Sequence, residues 1–468
     1  MKKIVTIITV LASSIMIAQV PCSGGSAAGF PCSNFTLQGQ ITLAAMGAGG
    51  GNDSWGWTDP QDGKEYAIVG LNNGTAFIDI SDPVDPQYLG KLPTHTSSST
   101  WRDVKVYNNH AFVVSEANGH GMQVFDLTRL RNVTSPPETF TEDAHYGNFG
   151  SAHNIVINED TGYAYAVGTD LYNGGPHFIN IQDPLNPTDE GGYALDGYSH
   201  DAQVVLYNGP DTSYNGKEIL IGSNENAVVV VDITDKGSPQ PISSTNYSNV
   251  GYTHQGWFTE DMKYFIVGDE IDEFSVGFNT RTLVFDFTDL DNPQLDFEYF
   301  GTTPAVDHNG YVVGERFYMA SYSAGMRVLD ISNIESGSMS EYGYFDTFPG
   351  NNNASFDGAW NVYPFFASGN IVISGDFGFT LVRDENLSAP DFSTSDFSIF
   401  PNPANNVLNV ASKNAPIDTV AIYNVLGQEV NRYDFADSLS ETIDISSLKA
   451  GLYMVQINKS TTKRLIVN

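Results

Sequence analysis

Four of the nine histidines in this 468-residue chain recur at one position of a repeat: His153, His200, His254 and His308, spaced by 47, 54 and 54 residues. Each is followed by a polar side chain, Asn154, Asp201, Gln255 or Asn309, and Asp103, Asp357 and Gly56 hold the equivalent place in the three other units. Neutral imidazole binds transition metals, whereas carboxylates and amides suit Ca²⁺. A ring of these groups could therefore hold a cation, and His200, His254 and His308 are its candidate ligands. The competing reading is structural: a duplicated residue that ties each unit to its neighbour's backbone. A symmetric ring alone is weak evidence for catalysis.

A second set of residues lies where the repeat loses its symmetry, in segments 51–57, 94–102, 144–149 and 272–279. Trp55, His95, Trp101, Arg102, His145 and Tyr146 offer aromatic faces and polar edges near carboxylates, the chemistry that grips sugar or peptide. Packing of turns over the surface accounts for them equally well. Nucleophile signatures are absent from the sequence: it has no G-x-S-x-G, no HExxH, no P-loop and no Cys–His pairing.

The elements that must position these residues are read from a recurring phrase of two apolar residues, Asp or Asn, another apolar residue, then Ser, Thr or Gln. It occurs six times, centred on Asp79, Asp126, Asn180, Asp232, Asp286 and Asp330, in steps of 47, 54, 52, 54 and 44 residues. Before each phrase runs a strand such as Tyr66-Ala67-Ile68-Val69-Gly70, often with an Asn-Gly hairpin signal between them. The histidine segments supply a strand before that, and segments such as Pro86-Gln87-Tyr88-Leu89-Gly90 one after it. Four antiparallel strands per unit make a propeller blade, because such a unit cannot bury its own apolar face and must stack on the next.

A seventh unit, from Asp357 to Arg383, lacks its fourth strand, and the unassigned segment 35–43 could supply it, closing the ring and removing two exposed sheet edges. The reading is all-β: a seven-bladed β-propeller over residues 35–390, a linker at 391–396, and a small Ig-like β-sandwich from 397 to 468. Inner strands face the central channel, so the His-Asn/Asp/Gln positions are expected around its axis.

Met1-Lys2-Lys3 followed by an apolar run to Ala18 has the form of a secretory signal peptide over residues 1–18, too short for a membrane span. No transmembrane segment is expected elsewhere. Residues 19–34 form a lead-in whose two cysteines, Cys22 and Cys32, read most simply as a disulfide in an exported chain. Lipidation of Cys22 is the competing reading, although Gln19-Val20-Pro21 lacks the small residue that normally precedes a lipidated cysteine.

The net charge of −34 is concentrated in residues 19–395, which carry 13 basic against 48 acidic side chains. Such a surface repels nucleic acid and anionic lipid and attracts cations; it also keeps an extracellular protein soluble.

Residues 397–468 resemble the type A sorting domain of the type IX secretion system. The matching words are Phe397-Ser398-Ile399-Phe400-Pro401-Asn402-Pro403, Ile422-Tyr423-Asn424-Val425-Leu426-Gly427-Gln428, Leu448-Lys449-Ala450-Gly451-Leu452-Tyr453 and Lys463-Arg464-Leu465-Ile466-Val467. That resemblance implies passage through the periplasm, export across an outer membrane, removal of the domain, and release or attachment to lipopolysaccharide.

Residues 19–390 resemble the choice-of-anchor B family, propellers related to LVIVD-repeat proteins, through Gly51-Asn52-Asp53-Ser54-Trp55-Gly56-Trp57, Ser99-Thr100-Trp101-Arg102-Asp103 and Ala152-His153-Asn154-Ile155-Val156. It implies a propeller with a variable anchoring device and no particular activity. The expectation from sequence is thus a secreted or surface-held module that binds an extracellular glycan, peptide or protein. The alternative is an extracellular metal-assisted hydrolase or lyase that uses the His/Asp ring.

Overall fold

The Asp or Asn of the repeated phrase is a turn residue. In all six copies its side-chain oxygen accepts a hydrogen bond from the backbone N–H two residues on, from Ser81, Thr128, Gln182, Thr234, Thr288 and Ser332, at 2.7–3.1 Å. The apolar residue after it is buried, and its N–H bonds back to the preceding hairpin, as Ile80 does to Glu65 O and Ile233 to Glu218 O. Each copy ends the third strand, counted from the channel, of a sheet built on four antiparallel strands; short outer strands bring blade 1 to five strands and blade 6 to six.

The computed structural model describes residues 19–386 and, in the C-terminal part, 397–400, 404–412, 416–424, 429–449, 451–458 and 461–467. The signal peptide expected at 1–18 and the linker expected at 391–396 lie outside the described residues. The chain divides into two compact units, Met1–Asn386 and Leu387–Asn468.

Unit one is a seven-bladed propeller. The innermost strands are Gly51–Thr58, Arg102–Tyr107, Asn154–Asn158, Asp201–Leu206, Thr253–Phe258, Gly310–Val313 and Ala359–Tyr363. Each touches the next, and the seventh touches the first, so the ring closes. Blade 7 is completed by Phe35–Ile41, which pairs antiparallel with Gly378–Asp384. The Cys22–Cys32 disulfide lies beside this closure, on a short hairpin whose second strand, Phe30–Ser33, extends blade 6 by pairing with Ser340–Phe345.

The apolar core sits between blades rather than within them. Ile68, Phe77, Val104, Val113 and Phe125 cluster between blades 1 and 2, and similar clusters occupy every later junction. The last two junctions depend on the closing strand: Phe35 and Leu37 pack between blades 6 and 7, and Ile41 between blades 7 and 1. No blade has a dry face of its own, which is why the repeat must close on itself.

Unit two is a two-sheet sandwich. Phe397–Phe400, Val407–Ser412 and Ser440–Asp444 form one sheet; Glu429–Ser438, Ile417–Asn424, Gly451–Ile457 and Thr461–Val467 form the other. Leu408, Val410, Val420, Ile422, Ile443, Val455 and Leu465 fill the space between them.

Candidate functional site

All seven inner strands run the same way along the channel, so their starts gather at one mouth and their ends at the other. Side chains alternate along each strand. Three layers result: a histidine mouth, a charged middle and an aromatic mouth, with about 20 Å from His200 to Leu206 at roughly 3.3 Å per residue.

At the first mouth His153, His200, His254 and His308 form a stair of rings, with successive centroids 4.0, 4.3 and 4.3 Å apart, and Trp360 continues it 4.9 Å beyond His308. His254 and Trp360 occupy bulges in their strands, which re-aim their side chains into the stair. His200 Nδ1 lies 3.2 Å from His254 O, and His308 Nδ1 meets Trp360 O at 2.5 Å, so both imidazoles donate to a neighbouring blade's backbone. His153 Nδ1 instead meets Glu116 Oε1 at 2.6 Å.

His254 breaks the pattern. It is 1% exposed, and neither ring nitrogen has a hydrogen-bond partner among the described residues. Its Nε2 faces Glu270 Oε2 at 3.7 Å, and His308 Nε2 faces Glu270 Oε1 at 3.8 Å. The Tyr322 hydroxyl donates to Glu270 Oε1 at 2.8 Å. Burial pushes His200 and His254 well below the usual histidine range and His308 down to about 3, so these rings are neutral; burial also raises Glu270 to about 7.

In the middle layer Lys105 is the cation facing Asp53, Asp103 and Asp201. Its Nζ lies 2.7 Å from Asp103 Oδ1 and 3.7 Å from Asp53 Oδ2, and 4.6 Å from the Trp55 ring centroid. Burial alone would lower the lysine pKa, but the charges of Asp103, Asp53 and Asp201 outweigh it and raise it. Asp103 stays ionised, because Lys105 and donated hydrogen bonds overcome its burial. Burial, then the Asp103 charge, drives Asp53 well upward, and burial lifts Asp201 to about 7.

This layer also staples the blades together. Asp103 Oδ2 accepts from Ile155 N, Gln203 Oε1 from Phe258 N and Gln255 Oε1 from Gly310 N, while Asn361 Nδ2 donates to Ser54 O across the closure.

At the far mouth Trp55 and Trp257 stand with Tyr363 and Phe365 around a cavity of about 440 Å³, completed by Val156, Val204 and Met262 and by Gln203, Asn158, Glu159 and Asp160. Trp55 meets Tyr311, Tyr363 and Phe365 at centroid distances of 5.1–5.9 Å, and Trp257 meets Tyr311 at 5.0 Å.

The residues singled out from sequence therefore separate. His153, His200, His254 and His308 meet at one mouth, Asp103 and Asp201 in the middle, and Trp55 at the other mouth. Asp357 is exposed on the loop before blade 7, where the bulged Trp360 and the following Asn361 take the ring positions instead. Trp101 is 44% exposed, away from any aromatic partner among the described residues.

Arg102 is buried and turns between blades 1 and 2, donating to Leu71 O, Thr94 Oγ1 and His120 Nε2. His145 stacks on His95 at 3.7 Å and donates to His120 O, while His95 meets Glu142 at 3.0 Å. Tyr146 bonds His177 at 2.9 Å.

Sequence reasoning missed Lys105, Trp257, Tyr311, Tyr363 and Glu270. The first four were accessible: counting three residues on from Asn52, Arg102, His153, His200, His254, His308 and Trp360 reads off one ring of positions, Trp55, Lys105, Val156, Gln203, Trp257, Tyr311 and Tyr363, whose side chains supply both the charged middle and the aromatic mouth. Glu270 had no such signal, since it follows a second strand and reaches the mouth from behind.

His120 yields a pH prediction. Burial, then the Arg102 guanidinium 2.9 Å away, depresses its pKa to about 4. The unfolded chain takes up this proton below about pH 6.5 and the folded chain only near 4, so this contribution is full above 6.5 and is lost on acidification between the two values, on the order of 3 kcal/mol in all. Denaturant unfolding of wild type and His120→Asn from pH 7.5 to 4 should show a shallower acid limb in the variant, which keeps an acceptor for Arg102. Parallel limbs would contradict the assignment.

The fold defines a β-propeller followed by a C-terminal β-sandwich. Residues 398–468 match the family described as the secretion system C-terminal sorting domain, and residues 64–94, strands two to four of blade 1, match the LVIVD repeat. The chain is therefore a type IX export substrate, secreted or held at the cell surface. No helix among the described residues is long and apolar enough to cross a membrane. No curated protein matches the chain. A solved structure of PorZ, titled an essential bacterial surface component of the type-IX secretion system of Porphyromonas gingivalis, aligns at 10% identity with a TM-score of 0.45 over 89% of this chain, which spans 59% of that one.

Proposed function

We propose that the propeller is an extracellular binding module whose ligand is a glycan segment seated at the aromatic mouth of the channel. The observation that carries this reading is the 440 Å³ cavity, which combines Trp55, Trp257, Tyr363 and Phe365 with Gln203, Asn158, Glu159 and Asp160. Flat aromatic faces bind the C–H faces of sugars, and amides and carboxylates accept from sugar hydroxyls. The net charge of −34 disfavours anionic ligands, which favours a neutral saccharide.

A peptide bearing Lys or Arg is the second reading, favoured by Glu159 and Asp160 at the rim of an aromatic cage. Glycan and peptide arrays probed with the secreted chain decide between them. The expected result is a saccharide signal that Trp257→Ala weakens at least about tenfold, the loss of one well-packed aromatic contact. Signals on basic peptides alone would replace the glycan reading. Saccharide binding unchanged in Trp257→Ala would remove the site.

A further inference from the structure

We propose that the opposite mouth of the channel is a binding site for one divalent transition-metal ion of the zinc class, held by His200, His254 and Glu270. One ligand atom from each of these residues lies within 4.8 Å of the other two. His254 Nε2 and Glu270 Oε2 are 3.7 Å apart, near the spacing of two ligands on one tetrahedral ion with bonds of about 2.0–2.2 Å.

The hydrogen bonds around the set already have the pattern of a metal site's outer shell. His200 gives its Nδ1–H to His254 O, which fixes the tautomer and leaves the Nε2 lone pair free. Tyr322 holds Glu270 through Oε1 and leaves Oε2 toward His254. A buried imidazole normally finds at least one partner, and His254 has none for either nitrogen among the described residues. A cation bound at Nε2 would accept the lone pair for which the protein supplies no donor.

The donor set selects the ion. Two imidazoles and one carboxylate suit zinc and its neighbours, whereas Ca²⁺ needs six to eight oxygens. The ligand set differs from the ring drawn from sequence in two respects: Glu270 joins, and His308 falls outside the mutually close set. Three protein ligands leave a coordination position for water or a ligand atom. Nothing in this assignment depends on the aromatic mouth.

Metal analysis of the secreted full-length chain, stripped with chelator and reloaded with Zn²⁺ or Co²⁺, tests the assignment. The expected result is one ion per chain, with a tetrahedral Co²⁺ absorption band and no displacement by excess Ca²⁺. His254→Ala and Glu270→Gln should each weaken uptake at least about 10- to 100-fold, while His110→Ala, on the turn joining the first two strands of blade 2, should not. Unchanged circular dichroism in Glu270→Gln separates lost ligation from lost fold. Absence of stoichiometric uptake by wild type overturns the proposal. So does uptake that persists in His254→Ala and Glu270→Gln and resides instead at the stacked His95 and His145.

Discussion

Replacing Lys105 with Met should lower the stability of the propeller by about 3–5 kcal/mol, the usual cost of leaving a buried charge without its partner. Lys105 is the cation between Asp53, Asp103 and Asp201, with Asp103 bonded to it at 2.7 Å. Methionine keeps most of the volume and the packing against Trp55 but abandons an ionised Asp103 in the channel. Asp103 cannot simply be dispensed with, since its other oxygen accepts Ile155 N from the next blade. The double variant Lys105→Met/Asp103→Asn should recover a substantial part of the loss, because Asn keeps that acceptor and removes the charge. Urea unfolding followed by tryptophan fluorescence gives both values; a single variant within 1 kcal/mol of wild type would show that the channel is too wet for the charge to matter.

Removing the closing strand should have the other large effect. Without residues 35–43, blade 7 loses its pairing with Gly378–Asp384, and two junctions lose Phe35, Leu37 and Ile41. Buried Phe→Ala and Leu→Ala changes each cost about 2–5 kcal/mol, so deleting all three side chains together with the strand exceeds the total stability of most domains. The expected outcome is an insoluble or protease-sensitive chain. Phe35→Ala and Leu37→Ala offer graded versions, each lowering the denaturation midpoint of the propeller. An unchanged midpoint in both would mean that blades 6 and 7 hold together without the closure.

Much of this architecture was legible because the physics that builds it is local. An Asp or Asn two residues before a free N–H writes its turn into the sequence six times, and the apolar strands around it have period two. The missing fourth strand of blade 7 and the spare strand at 35–43 follow from edge pairing alone.

The site was less legible, for two reasons. Bulges shift the count: Trp360 and Asn361, rather than Asp357, hold the ring positions in blade 7, because that strand carries an extra residue between Ala359 and Asn361. Side chains from behind the inner strands also contribute, as Glu270 does, and their approach depends on the closed ring. Arg102 shows the same limit in the other direction. It stands where the repeat places a histidine, yet its length lets it reach Leu71 O and His120 and leave the channel.

The aromatic mouth and the loops above blades 1 and 2 both contain residues of the kind that hold sugars, and only one of them can be the principal site. Hydrogen exchange of the secreted chain, with and without the saccharide giving the strongest array signal, separates them most directly. The account predicts protection concentrated in 156–160, 203–206, 257–262 and 363–365, the segments around the 440 Å³ cavity. Protection confined to 94–102 and 144–149, with the cavity segments unchanged, would contradict it.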